Sequence, residues 1–500
     1  MLFNSPIFLY GFLPVVAALF LAVRQRPRLT EGLLVAASLI FYAWYVPWLA
    51  LLIGASLTGN YVAGRLIEAA PVHGRARVLT LAVVGNLACL GYFKYTDFLI
   101  DNFSWLTTSP IAHQDILLPP AISFFTFQQI AYLVDTKTSG RAERDFLHYA
   151  LFVTFFPQLI AGPIVQHAEF MPQVKAGAFG RATANDAIVG LVYFAIGLFK
   201  KVVCADSLAR LADSVFAAPA GSVGAADAWV GSLAFGLQIY FDFSGYSDMA
   251  VGLGRLFGVR LPVNFDSPYK ARSIFDFWRR WNRTLSRFLH DYIYVPLGGS
   301  RRGRLRQCVN ILVVMAIAGL WHGASWTFVA WGALHGLFMV IALLSRTVSG
   351  HDRSRTAPAL AGPVLTFFAL TATRVFFRSA DFSRAWALVA TLLSPAGPVE
   401  LGRALIAPGP ASLPVVAAAV SPLGLVSGLG WLQILLLVVW LTPNSQALAA
   451  RVEARLSAPS RVDGPSRRAV SIALAISVGL VLAVAAMSVS EPREFIYFHF

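Results

Sequence analysis

Trp321-His322-Gly323-Ala324-Ser325-Trp326 stands, with a second histidine at His335, inside the uncharged and mostly apolar run 311–344. An ionisable side chain in hydrocarbon costs a few kcal/mol or more, so it usually lines a cavity or a reaction site. At ~1.5 Å per helical residue, His322 lies ~17 Å from Ile311 and His335 ~14 Å from Leu344, each near the middle of a ~30 Å hydrocarbon core. As one helix the run would be ~51 Å long, which a bilayer accommodates only with heavy tilt. Two short helices turning at Gly323-Ala324-Ser325 fit better, although a tilted single span also satisfies the arithmetic. Both flanks are basic, with Arg301, Arg302, Arg304 and Arg306 before and Arg346, Arg353 and Arg355 after, which suits one cytoplasmic side. Arms this short predict a turn below the far surface, at the floor of a funnel open to the exterior.

Composition extends this reading to the whole chain. Of 500 residues, 57% are hydrophobic and 13% charged, against about 25% charged in soluble domains. The chain is expected to be an all-α polytopic membrane protein forming one membrane-embedded domain over residues 1–500. Its apolar runs are long and continuous, unlike the ~10-residue alternating segments of a β-barrel. Expected spans are 6–23, 32–48, 49–67, 78–98, 116–135, 146–165, 185–204, 226–256, 311–344 as a hairpin, 358–378, 382–395, 411–443 and 469–488. That pattern predicts about 11 to 14 membrane-embedded helices. The first run lacks a basic n-region and a clear cleavage site, and reads as a retained span. Arg24, Arg26 and Arg28, then Arg65, Arg75 and Arg77, make the first and third loops basic and put the N-terminus outside.

The net charge of +15 is dispersed over loops between apolar runs, so positive-inside topology accounts for most of it and no nucleic-acid partner is implied. Cys89, Cys204 and Cys308 are odd in number and widely spaced, indicating neither a disulfide framework nor a metal site. No fixed-period repeat and no phosphate-cradling glycine loop is present, which argues against an ATP-driven pump.

Two further segments carry polar chemistry. From Tyr269 to Arg306, Lys270, Arg272, Arg279, Arg280, Arg283 and Arg287 interleave with Phe275, Phe277, Trp278, Trp281, Phe288, Tyr292 and Tyr294. This reads either as an element seeking the membrane interface or as a cytoplasmic docking surface for an anionic donor, and the two are compatible. Upstream, Gln238 to Met249 places Asp242, Asp248, Tyr240 and Tyr246 in one apolar span. These residues form a paired structural network, or Asp242 or Asp248 orients a histidine or lines a tunnel. Spacing does not decide between these.

Seven blocks in order carry a resemblance over most of the chain: Met1 to Ser5, Ile122 to Gln128, Phe155 to Ile164, Tyr240 to Met249, Asn264 to Arg280, Leu285 to Gly299, and Trp321-His322-Gly323 followed by His335. The sequence resembles the membrane-bound O-acyltransferase family, in the bacterial branch typified by alginate O-acetylation membrane proteins. The resemblance implies a ring of helices around a thin, tunnelled centre, with the family's essential histidine carried onto His322 and a second histidine position onto His335. Asp242, Tyr246, Asp248, Asn282, Trp321 and Ser325 are then candidates to line the donor path or the tunnel. Two departures stand out: related sequences often have histidine where this chain has Asn282, and arginine where it has His290. The first weakens Asn282 as a site residue.

An acyl transfer from thioester to hydroxyl needs a base near the operating pH, and imidazole is the side chain whose unperturbed pKa is closest. The resemblance implies that a cytoplasmic thioester, acetyl-coenzyme A or another, approaches the basic surface while an acceptor hydroxyl approaches from outside. His322 would take the proton, and His335 or a hydroxyl would orient it or stabilise the oxyanion. No bound cofactor or metal is expected. The acetyl group would pass to a separate periplasmic acyltransferase acting on an exopolysaccharide such as alginate, with the chain in the bacterial inner membrane. Other readings are D-alanyl transfer to teichoic acid, a transporter, which usually shows internal repeats, and a scaffold, which would tolerate His322→Ala.

Overall fold

The computed structural model describes residues 1–219, 221–349 and 361–457, together with Gly479, Ala483, Phe495 and Ile496. The described residues are 77% helical, with no strand among them. It is an all-α polytopic membrane protein. By length and hydropathy, six helices among the described residues can cross a bilayer: Leu49–Ala69, Val72–Thr107, Ala184–Ala217, Arg304–His322, Trp326–Ser345 and Leu423–Leu441. Other expected spans are shorter, broken or more polar helices, such as Pro27–Ala43, Ile122–Ser139 and Ala225–Leu256. The run expected at 469–488 lies outside the described residues apart from two positions, as do Arg353 and Arg355.

Contacts divide the chain into two units: residues 1–198, 246–263 and 448–494 make the first, and 199–245, 264–447 and 495–500 the second. The first is organised around an aromatic core. Phe3 lies 5.0 Å from Phe8 and 5.4 Å from Phe41 between ring centres, and Phe41 lies 5.5 Å from Phe156. The span expected at 146–165 is broken after Thr154, because Pro157 has no N–H with which to continue the ladder. Side chains compensate the break at two points. The Phe156 N–H donates to Ser38 Oγ at 2.9 Å, and the Phe152 carbonyl accepts side-chain amides from Gln128 and Gln158 at 2.9 and 2.8 Å. Buried backbone groups must find such partners, which gives physical content to the Gln128 and Gln158 positions of the sequence blocks.

A polar knot lies outside the spans of this unit. The buried Glu143 carboxylate accepts from Lys175 Nζ at 2.7 Å and faces His167 Nε2 at 3.4 Å, while Glu31 meets His148 Nε2 at 3.2 Å. Burial pushes the Glu143 carboxyl up, but His167, Lys175 and the Asp145 backbone N–H outweigh it and hold its pKa at about 2.

In the second unit the run from 304 to 349 is the expected hairpin. Its arms are Arg304–His322 and Trp326–Ser349, separated by Gly323-Ala324-Ser325. Gly323 is extended and ends the first arm. Ser325 Oγ then accepts the Thr327 N–H at 3.3 Å, satisfying one of the free donors that open the second. The seam between the arms is made of glycine. A Cβ on Gly319 would run into the Phe328 carbonyl, and one on Gly332 into the Met315 carbonyl. Gly332 and Gly336 make a G-x-x-x-G within the second arm, and Gly319 makes the same spacing with Gly323, the residue that ends the first. That spacing lets helix backbones approach within a membrane, where hydrophobicity alone gives no preference for helix over lipid.

Candidate active site

The hairpin carries its two histidines to one aromatic cluster. Trp331, one turn before His335 on the second arm, lies 4.6 Å from the His335 ring and 5.1 Å from the His322 ring, so a single indole separates the imidazoles. Trp321 and Phe377 close on His322 at 4.9 and 5.2 Å, and Trp278 lies 5.4 Å from His335. His322 is 3% exposed and His335 1%. His335 Nε2 is 3.0 Å from Thr373 Oγ1, whose own proton goes to the Leu370 carbonyl at 3.0 Å. The threonine oxygen therefore accepts from Nε2–H, which assigns the ring lone pair to Nδ1. That nitrogen is buried without a hydrogen-bond partner among the described residues.

Three expectations are corrected here. The first arm is 19 residues, ~28 Å long, because its helix begins at Arg304 rather than Ile311: arginines at a helix end keep their heads in water while their stems run along the helix. His322 thus ends an arm of full membrane length, where a short arm ending near the middle of the hydrocarbon core was expected, while His335 is ~14 Å into its arm. Secondly, the aromatic residues of the 269–306 segment do not form an interface-seeking face. Two seven-residue helices, Ile274–Arg280 and Arg283–Leu289, turn Phe277, Trp278, Leu285 and Phe288 into the protein and leave Arg279 and Arg283 exposed. Trp278 becomes a wall of the histidine site.

The third correction concerns access. Opposed water-filled passages were expected to meet at His322, but aromatic side chains enclose that ring. Among the described residues a cavity of about 280 Å³ lies between the 275–294 segment and the hairpin, with Arg279, Ser286, His290 and Gln307 in its polar lining and Ile311 and Met315 among its apolar lining. Trp278 lines it too, so one aromatic layer separates this cavity from His335.

The remaining candidates are dispersed. Trp321 is buried beside His322, and Ser325 serves the hairpin turn. Asn282 is the left-handed hinge (φ 42°) between the two short helices, a conformation asparagine tolerates better than most residues. Asp242 is paired with Lys201 Nζ at 2.8 Å, both side chains 1% exposed, and Lys201 also meets Asp206 at 2.9 Å. Asp242 further accepts the Ile496 N–H at 3.0 Å. Its partners fit the structural-network reading: an isolated buried carboxylate would be costly, and the lysine neutralises it. Tyr246 belongs to the first unit, stacked 4.7 Å from Phe3, and Asp248 is buried in that unit as well. Sequence reasoning missed Lys201, Thr373, Phe377 and the paired G-x-x-x-G motifs. A lysine inside the apolar run 185–204 and the spacing of Gly319, Gly323, Gly332 and Gly336 were visible signals; nothing marks Thr373 or Phe377.

A polytopic helical protein with two buried imidazoles in a membrane hairpin, walled from an amphipathic cavity by one indole, has the parts of a membrane-embedded acyl-transfer enzyme. The chain belongs to the membrane-bound O-acyltransferase family, whose model matches residues 87–378, and it is an O-acyltransferase. It is 43% identical over 417 residues to a peptidoglycan O-acetyltransferase of Helicobacter pylori, covering 77% of this chain and 78% of that one. It is 40% identical over 405 residues to a "probable alginate O-acetylase" of Pseudomonas aeruginosa, covering 79% and 75%. A teichoic acid D-alanyltransferase of Streptococcus thermophilus is 25% identical over 242 residues, covering 46% and 57%.

Proposed function

We propose that this protein moves an acetyl group from a cytoplasmic thioester, acetyl-coenzyme A or a related donor, toward the hydroxyl of an exported polysaccharide, and that His322 and His335 perform the proton transfers. The pair of imidazoles around Trp331 carries this reading. The donor enters by the cavity lined by Trp278 and passes its acyl end beyond that ring to the histidines, while its anionic part meets exposed cations, Arg279 and the Arg301 to Arg306 cluster, on the cytoplasmic side of the inner membrane. An arginine fork suits phosphate. An imidazole lone pair then accepts the acceptor's hydroxyl proton as oxygen adds to the carbonyl carbon, and returns a proton to the departing thiolate. His335 Nδ1 is the lone pair that the Thr373 contact orients.

An exopolysaccharide or peptidoglycan is the class of acceptor, reached through a separate periplasmic acyltransferase. Relatives named for O-acetylation share 40–43% identity with the chain, whereas the D-alanyl-transferring relative shares 25%, which favours acetyl over D-alanyl as the group moved. The test follows labelled acetyl from the cytoplasmic face of membranes to exported polysaccharide. With His322→Ala, transfer should vanish while protein abundance persists, and retained transfer would leave the scaffold reading in its place.

A further inference from the structure

Trp278 borders two places at once. Its ring lines the cavity of about 280 Å³ and stands 5.4 Å from the His335 ring, with 76° between the planes. On the histidine side the space is filled by rings: Trp331 lies 4.6 Å from His335 and 5.9 Å from Trp278, and Phe277 lies 6.2 Å from His335. On the cavity side the wall is apolar and pliable, with Leu289, Ile311, Val314, Met315 and Met339. The unbranched methionine chain adapts to the shape of what it meets. The two sides therefore treat an added methylene differently. The cavity accommodates it, whereas a cluster packed to the density of a protein interior takes one in only with strain.

The indole is placed by shape. Its side chain is 7% exposed, yet Nε1 is buried without a hydrogen-bond partner among the described residues. A buried indole N–H commonly finds an acceptor, as Trp431 does in the Val203 carbonyl at 3.2 Å. Trp278 instead meets the rings of Phe277, Trp331 and His335 at 79°, 65° and 76°. No hydrogen bond has to break for it to turn, and the cavity leaves it a direction in which to move. The helix that carries it, Ile274–Arg280, is two turns long and ends two residues before the Asn282 hinge. Resting on the reading that the donor's acyl end travels from the cavity to the histidines, we propose that Trp278 is the specificity-determining residue that limits the transferred group to a short acyl chain. A displaced indole yields beside His335 the room of a two-carbon group. Longer chains bind in the cavity and stop at the ring, so selection lies in the rate of transfer and not in the affinity for the donor.

The test uses membranes containing the full chain and compares acetyl-, propionyl- and butyryl-coenzyme A by the free coenzyme A that each releases. In the parent, kcat should fall about 10–200-fold for each added methylene while KM for the donor stays within about threefold. Butyryl-coenzyme A should accordingly compete with acetyl-coenzyme A as an inhibitor. Trp278→Leu should raise the butyryl-to-acetyl ratio of kcat by at least about tenfold, and Trp278→Phe, which removes less of the ring, by a smaller factor. A packing defect lowers turnover of every donor together and leaves that ratio alone. Equal ratios in the parent and in whichever of the two variants accumulates would overturn the proposal, as would a parent that uses butyryl as fast as acetyl. Should neither variant accumulate, the parent decides: slow butyryl turnover with competition upholds the proposal, and a butyryl donor that does not compete overturns it. His322→Ala is measured alongside. Unchanged ratios beside an inactive His322→Ala would sink this inference alone, whereas an active His322→Ala, or a parent that draws on none of these donors, would sink the reading beneath it.

Discussion

At the scale of single residues, the two histidines differ in surroundings although both are buried. His335 has a fixed neighbour in Thr373 and a lone pair on Nδ1, while His322 is held by rings. Loss of a general base costs about 10²–10⁴-fold. His322→Ala and His335→Ala should therefore each lower kcat by at least about 100-fold, whereas Thr373→Val, which frees the His335 ring without removing it, should lower it less. Steady-state rates on membranes matched for protein amount check the order. Glu143 makes a second residue-scale prediction. A carboxyl whose pKa falls from its ordinary 4.5 to about 2 on folding contributes stability that is fully present above pH 4.5 and is lost as pH falls through about 2. The contribution is about 3 kcal/mol at neutral pH. Thermal melts of detergent-solubilised parent and Glu143→Gln should differ most near pH 7 and converge toward pH 2. Parallel curves would show that the knot gives the fold no pH-dependent stability.

At the scale of elements, the hairpin is a pair of helices held by glycine. Adding a methyl to a seam with no space costs about 1–3 kcal/mol through overpacking, and here it also displaces a histidine, since Gly319 precedes His322 by three residues and Gly332 precedes His335 by three. Gly319→Ala and Gly332→Ala should lower both the melting temperature and the transfer rate. Gly402→Ala is the control, because nothing lies within 4 Å of a Cβ at that position, and it should melt with the parent. The turn position, the existence of the two arms and the glycine spacing could all be read from the chain. The arm lengths could not, because hydropathy stops counting at the first charged residues while backbone hydrogen bonding continues through Arg304 and Arg306. The same blindness affected the 269–306 segment: basic and aromatic residues alternate in an interface helix and in a buried wall alike, and only the hinge at Asn282 directs Phe277 and Phe288 inward.

For the whole molecule, the alternation of basic and neutral loops predicts sidedness. With an external N-terminus, the loop at 24–26 and the start of the helix Val72–Leu90 face the cytoplasm, and the segment 108–121 faces outward. In a chain whose Cys89, Cys204 and Cys308 have been replaced, an impermeant thiol reagent applied to intact spheroplasts should label Ser109→Cys and spare Arg26→Cys. The reverse pattern would invert the proposed direction of acyl transfer. Apolar runs, basic loops and the Trp-His-Gly histidine were decisive in the sequence because each is a local property: the cost of burying charge in hydrocarbon is set residue by residue. Which groups meet is not local. The sequence leaves Asp242 two readings, and its pairing with Lys201 favours the structural one; Thr373 and Phe377 carry no mark in the chain that ties them to a histidine, because helices distant in sequence come together through side-chain shape and buried polar pairing, neither of which leaves a periodic signal.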